Sequence, residues 1–154
     1  DNIRLGNVRM REEEIQSIST AVNSHNFINK FPLKYEQELI EGGGSISSGQ
    51  RQLLSFARAL AVKPQILVLD EATSSVDMDT ERQIKNGIKE MTRGRTSIII
   101  AHRLSTLMHV DKVLVLKNGK IIEFGKRDEL LQQRGIFYKL CQAQIKSEQF
   151  SAEQ

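Results

Sequence analysis

Apolar residues recur at helical spacing over residues 12–23. Ile15, Ile18 and Val22 fall at i, i+3 and i+7 with Ala21 beside them, which predicts a helix from Glu12 to Asn23. A short segment around Phe27 and Ile28 follows and ends at Pro32. Residues 33–46 read as loop, with the glycine triplet Gly42, Gly43 and Gly44 near its end. Ser47 followed three residues later by Gln50 is a capping-box pair, so a second helix starts near Gly49. Leu53, Ala57, Leu60 and Ala61 make its apolar stripe, and Pro64 stops it. The unbroken run Ile66, Leu67, Val68, Leu69 predicts a parallel strand buried on both faces, closed by Asp70 and Glu71.

Residues 80–91 return to helical spacing, with Ile84, Ile88 and Met91 on one face. Ser97 to Ala101 predicts a second buried strand, closed by His102, and Val113 to Leu116 a third. Asn118-Gly119 is a type I′ turn pair, so Ile121 and Ile122 should fold back antiparallel on that third strand. A last helix from about Ile136 to Lys146 places Phe137, Leu140 and Cys141 or Gln144 along one face. The closing SEQFSAEQ is polar and is expected to fray.

Composition narrows the classes. With 39% hydrophobic and 27% charged residues in a chain of 154, there is enough apolar matter for a core, which argues against a disordered tail. The net charge of +3 is mild and no lysine stripe marks a nucleic-acid footprint. Arg4, Arg9 and Arg11 read as a small solvated cluster, and Glu12, Glu13 and Glu14 as support for a helix N-terminus. The lone Cys141 cannot form an internal disulfide, and no Cys/His zinc pattern is present. His25 and His109 stand alone and read as surface or packing residues. No apolar run approaches the roughly 18 residues of a spanning helix. The opening DNIRLGNVRMREEE is not a signal peptide and does not begin with methionine; it reads as a chain cut from something longer.

The candidate chemistry sits where strands end. In open α/β sheets, ligands bind off the carboxyl ends of the strands. Asp70, Glu71 and His102 would meet in one crevice if their strands were neighbours. An aspartate after a hydrophobic strand suits water-mediated Mg²⁺ holding, the next glutamate suits polarising a water, and a histidine suits a terminal phosphate. The plainer alternative is that these residues cap strands. Gly44 to Gly49 has the G-x-x-x-x-G spacing of a P-loop, but Gln50 and Arg51 stand where Lys and Ser or Thr are needed, and no strand precedes it. Ser47, Ser48 and Gly49 instead present a hydroxyl and N–H groups at a helix start, an arrangement suited to an anion or to ordinary capping.

These residues carry a family resemblance. Ile46-Ser47-Ser48-Gly49-Gln50, followed by Arg51-Gln52, resembles the LSGGQ signature of ABC transporter ATPases. Ile66 to Glu71 resembles their Walker B strand, Ser74-Ser75-Val76-Asp77 their D-loop, and Ala101 to Ser105 their switch-histidine segment. The resemblance runs from Asn2-Ile3 to about Gln142 and is closest to exporters. It implies an α/β fragment of a P-loop NTPase: a helical and signature region over about 1–62, part of the parallel RecA-like core over about 63–147, and a tail over 148–154. It implies that Asp70 supports Mg²⁺ through water, Glu71 activates the hydrolytic water and His102 senses the γ-phosphate. Ser47, Ser48, Gly49 and Gln50 would belong to the signature that meets ATP held by a second nucleotide-binding domain. Asp77, with Ser74 and Ser75, would line that dimer interface. Residues 27–45 would belong to the helical subdomain, with Glu41 near the coupling helices of a transmembrane domain. The parent would work at the cytoplasmic face of a membrane, coupling ATP hydrolysis to export.

Ser48 departs from the family's first signature glycine, a change associated with asymmetric heterodimers. Ile40 replaces a glycine usual before Glu41. The aromatic A-loop, Walker A and Q-loop of the family have no counterpart in the sequence. The chain is therefore expected to be a C-terminal portion, unable to bind ATP normally by itself, with exposed sheet edges that favour association or swapping. Two rivals belong to other classes. One is a DNA-associated chromosome-maintenance ATPase, which this chain resembles less because it has no heptad run. The other is a truncated, non-enzymatic interaction module, which a nucleotide titration separates from the first reading.

Overall fold

The structure is a computed structural model that describes residues 2–5, 7, 9–39, 45–70, 78–101, 107 and 110–152. The described chain forms two compact units, residues 1–100 and 101–154.

Among the described residues the first unit is built on four α-helices, one of them a single turn, and a short parallel sheet. Helix α1 (Glu12–Ala21) begins with three glutamates, whose charge suits the helix N-terminus. The single-turn helix α2 (His25–Ile28) follows after a buried Ser24, whose backbone N–H and hydroxyl both donate to Ser19 O. A 3₁₀ turn covers Lys34–Glu36. Helix α3 (Ser48–Ala61) buries Leu53, Leu54, Phe56, Ala57, Leu60 and Ala61, which includes the whole predicted stripe. Its end precedes Lys63, which takes a left-handed φ of 50° just before Pro64. Strand β1 (Ile66–Asp70), helix α4 (Met78–Thr92) and strand β2 (Thr96–Ile100) complete the unit. Ile84, Ile88 and Met91 of α4 are buried, as their spacing predicts. Asn23, itself left-handed, ties the end of α1 to α4 through Nδ2 to Gln83 O at 3.1 Å.

Strands β1 and β2 pair in parallel, with Ile66 opposite Thr96 and Asp70 opposite Ile100. Among the described residues they pair only with each other. The expectation that both strands are buried on both faces is corrected. Leu67 and Leu69 point into the core with Ile99 packed against it. On the other face Ile66, Val68, Ile98 and Ile100 stay 63%, 62%, 56% and 47% exposed. The physical reason is that a strand alternates its side chains and the described helices cover one face of the sheet.

The second unit has its own small core. Strand β3 (Val113–Lys117) and strand β4 (Lys120–Gly125) form an antiparallel hairpin. Its turn is Asn118-Gly119, with φ of 51° and 73°, the double left-handed geometry that this pair was expected to supply. An irregularity at Val115/Leu116 shifts the register, so Val115 faces Glu123 and Leu116 faces Ile121. Val113 and Val115 are buried while Leu114 and Leu116 are exposed, so this third strand is likewise one-sided. Helix α5 (Arg127–Gln133) was not foreseen; its period is hidden in a seven-residue polar stretch around Leu130. Helix α6 (Ile136–Ala152) places Phe137 and Cys141 on Val113, Val115 and Leu130. Leu140 leaves that face and is 55% exposed, and the helix continues through Ala152 where a frayed tail was expected. Burial pushes the Cys141 thiol up from its ordinary range, so it behaves as a packing residue.

Candidate functional site

The signature-like segment opens α3. Ser47 is extended (φ −66°, ψ 164°) and acts as the N-cap. Its Oγ accepts from Gln50 N at 3.2 Å, and Gln50 Oε1 accepts from Ser47 N at 3.0 Å. The capping box read from the sequence is therefore closed in both directions. Arg51 adds a brace, donating through Nη1 to Ile46 O at 2.8 Å. Ser47 and Ser48 are exposed, Gln50 is half-buried and Gly49 is buried. Gly49 follows Ser48 in the first turn of the helix and is buried. The outward groups are the Ser47 and Ser48 hydroxyls. Ser47 can still donate its own O–H while its oxygen accepts from Gln50.

Asp70 closes β1 with its side chain exposed. Its partner across the sheet is Ile100, the last residue of β2. The two strands thus run the same way and end at one edge, which meets the condition set on the strand-end carboxylate. Glu71, Ser74, Ser75, Asp77 and His102 lie outside the described residues, as do Ile40, Glu41, the triplet Gly42–Gly44 and His109. Among the described residues no group of three or more His, Cys, Asp or Glu side chains forms a metal cluster.

A second feature escaped the sequence reading. A groove of about 560 Å³ opens in the first unit, with Ile15, Phe27, Phe31 and Tyr35 on its apolar wall and Arg4 and Glu38 among its polar lining. Phe27 and Phe31 meet edge to face at 6.3 Å. Arg58 of α3 donates to Asn2 O at 2.7 Å and Asn2 Oδ1 at 3.0 Å, and Asn2 lines the groove. His25, expected as a surface or packing residue, has a hydrogen-bond partner at each ring nitrogen. Nδ1 lies 2.8 Å from Tyr35 Oη, and Nε2 lies 2.7 Å from Asn29 Nδ2. Burial pushes the Tyr35 phenol up from its ordinary value. The signal for this network was present as the i, i+4 spacing of His25 and Asn29, but the link to Tyr35 spans a turn that spacing does not describe.

Residues 4–74 match the family model described as ABC transporter. An ABC transporter ATP-binding protein of Bacillus subtilis is 43% identical over 145 residues, covering 94% of this chain and 24% of that protein. A fatty acid ABC transporter ATP-binding/permease protein of Mycobacterium tuberculosis is 44% identical over 143 residues, covering 93% and 23%. An ATP-dependent lipid A-core flippase of Syntrophus aciditrophicus is 41% identical over 153 residues, covering 99% and 26%. The chain thus spans about a quarter of the length of the curated relatives it matches. Among the described residues no helix is long and apolar enough to cross a membrane. The family match over residues 4–74 and these relatives support an ABC transporter nucleotide-binding domain.

Proposed function

We propose that this chain supplies the signature helix and the hydrolytic strand of an exporter's ATPase, at the cytoplasmic face of a membrane. Its working form pairs with a second nucleotide-binding domain and with a transmembrane domain. Residues 1–62 act as the helical and signature region, 63–147 as part of the RecA-like core and 148–154 as a tail. The observation that carries the reading is the parallel pairing of Asp70 with Ile100. It ends two motif-bearing strands at one edge, from which the chain runs on into Glu71 and toward His102.

Asp70 fits Mg²⁺ through water, as a single exposed carboxylate that can accept from the waters this cation usually keeps in its shell. When bound, Mg²⁺ neutralises the charge that develops on the transferring phosphoryl group. Glu71 accepts a proton from the attacking water, and His102 donates a hydrogen bond toward the terminal phosphate. The outward Ser47 and Ser48 hydroxyls donate toward ATP carried by the opposing domain, and the α3 N-terminus favours the anion. Asp77 lines the contact between the two domains. The groove beside Tyr35 lies on the segment that leads toward Glu41 and seats a cytoplasmic part of the transmembrane domain.

The test is ATP binding and turnover by the full-length transporter with Glu71→Gln. Binding is expected to persist while turnover falls by about a hundredfold or more. A variant with unchanged turnover sinks the assignment. The open apolar face of β1 and β2 also favours a second reading, a non-enzymatic interaction module. Mg-ATP turnover by the full-length transporter separates the two, since the 154-residue chain alone is expected to bind ATP poorly on either reading. Glu71-dependent turnover in that protein would exclude the module.

A further inference from the structure

The chain enters α3 through a clamped carbonyl. Ser47 is the N-cap, so Ile46 takes the N′ position and Arg51 the N4 position of the helix. At that pair of positions two apolar side chains often meet and fix the angle at which the chain enters. Here one of the two is an arginine, and a polar contact stands in their place. Arg51 Nη1 donates to Ile46 O at 2.8 Å, while Arg51 N donates to Ser47 O at 2.9 Å. The Ile46 side chain is buried in the core of the first unit. Ile46 is thus anchored twice, by its side chain in the core and by its carbonyl on the helix.

The contact acts where the capping box does not. Ser47 and Gln50 tie the cap to the first turn, and both of their bonds lie within residues 47–50. They leave open the direction from which the chain arrives. Arg51 removes that freedom, because a guanidinium on a backbone carbonyl makes a charge-assisted bond from a rigid donor. Arg51 itself is exposed, so its removal leaves no cavity in the core. What it sets is the backbone that carries Ser47 and Ser48, both exposed.

We propose that Arg51 is a positioning residue for ATP hydrolysis: by holding the Ile46 carbonyl it sets the aim of the Ser47 and Ser48 hydroxyls at the nucleotide carried by the opposing domain. This rests on the functional reading above. Arg51 acts through the backbone and not on a phosphate, so its loss is expressed in turnover and not in affinity for ATP.

The test uses the full-length transporter in lipid vesicles. It reads kcat and KM for Mg-ATP, the thermal midpoint, and hydrogen exchange at the Gln50 amide. Arg51→Met keeps an apolar stem and removes the donor. It is expected to lower kcat about tenfold with KM and the midpoint unchanged. It should also speed exchange at Gln50, whose N–H is held by Ser47 Oγ. Arg51→Lys, which retains a donor for the Ile46 carbonyl, should recover most of both effects. Wild-type kcat in Arg51→Met would overturn the proposal. So would an equal loss in Arg51→Lys, a loss that tracks a fallen midpoint, or unchanged exchange at Gln50. A raised KM at unchanged kcat would also overturn it, since that marks a direct pull on ATP. Hydrolysis that does not depend on Glu71 brings down the functional reading and this inference together. Glu71-dependent hydrolysis with an indifferent Arg51→Met removes only the inference.

Discussion

Glu123 of β4 accepts from the backbone N–H of Phe137 at 2.9 Å, and its other carboxylate oxygen accepts from Ile136 N–H. One strand side chain thus caps the start of α6 from 14 residues away. It supplies an acceptor and a negative charge where the helix has unpaired donors. Gly135 is part of the same device, since a Cβ there would run into Glu123 Oε1.

Glu123→Ala is therefore expected to destabilise the second unit by about 1 kcal/mol, the usual scale of a lost cap. Gly135→Ala should do the same without touching the carboxylate, by displacing it. Hydrogen exchange at the amides of Ile136 and Phe137 reads both effects. Unchanged protection in either variant would count against the cap.

Ser47 has a structural role and a proposed functional one, and they can be separated. Ser47→Ala opens the capping box and should cost about 1 kcal/mol in thermal or urea unfolding. Ser47→Asp keeps a side-chain acceptor for Gln50 N–H and should restore stability. On the functional reading it should not restore ATP turnover in the assembled transporter, because its charge opposes the phosphates. Full activity in Ser47→Asp would leave Ser47 as a cap alone.

Glu14 gives a pH dependence with a definite sign. Its Oε2 accepts from Arg11 N–H at 3.2 Å and its Oε1 from Lys63 Nζ at 3.1 Å. The Arg11 backbone N–H first, and then Lys63, lower its pKa below the ordinary 4.5. A carboxylate lowered by folding contributes stability that is present above its unfolded pKa and lost as pH falls through the folded one. The stability gap between wild type and Glu14→Gln should therefore close on acidification from about pH 6 to about pH 3. The effect is small, since the pair is solvent-screened. Melting curves across that range check it, and a gap that widens in acid would contradict it.

The open face of the parallel sheet predicts self-association. Ile66, Val68, Ile98 and Ile100 form an apolar surface beside strand edges that are unpaired among the described residues. In sedimentation velocity the 154-residue chain should associate as concentration rises, and lysine at Val68 and Ile98 should suppress this. Both positions are more than half exposed, so the substitutions should change stability by no more than about 0.5 kcal/mol. A monodisperse wild-type monomer with a sharp unfolding transition would refute the prediction.

The sequence by itself determined the elements whose cause is local. Ser47 and Gln50 fix the start of α3 because the capping box closes within four residues. Asn118-Gly119 fixes the hairpin turn because both residues reach left-handed backbone at low cost. The spacing of Ile84, Ile88 and Met91 marked the inner face of α4 because a helix repeats every 3.6 residues. The order of the motifs carried the family, since side-chain identities are written in the chain. Tertiary structure decided what depends on distant partners. An unbroken aliphatic strand reads as buried on both sides, yet Val68 and Ile98 are exposed because burial belongs to the covering layer and not to the strand. Leu140 lies one residue before Cys141, and which of them is buried was settled by where the hairpin sits. The Glu123 cap, the groove and the bond from His25 to Tyr35 join residues across turns. Spacing rules carry no information about such pairs, because their geometry is set by how the chain returns on itself.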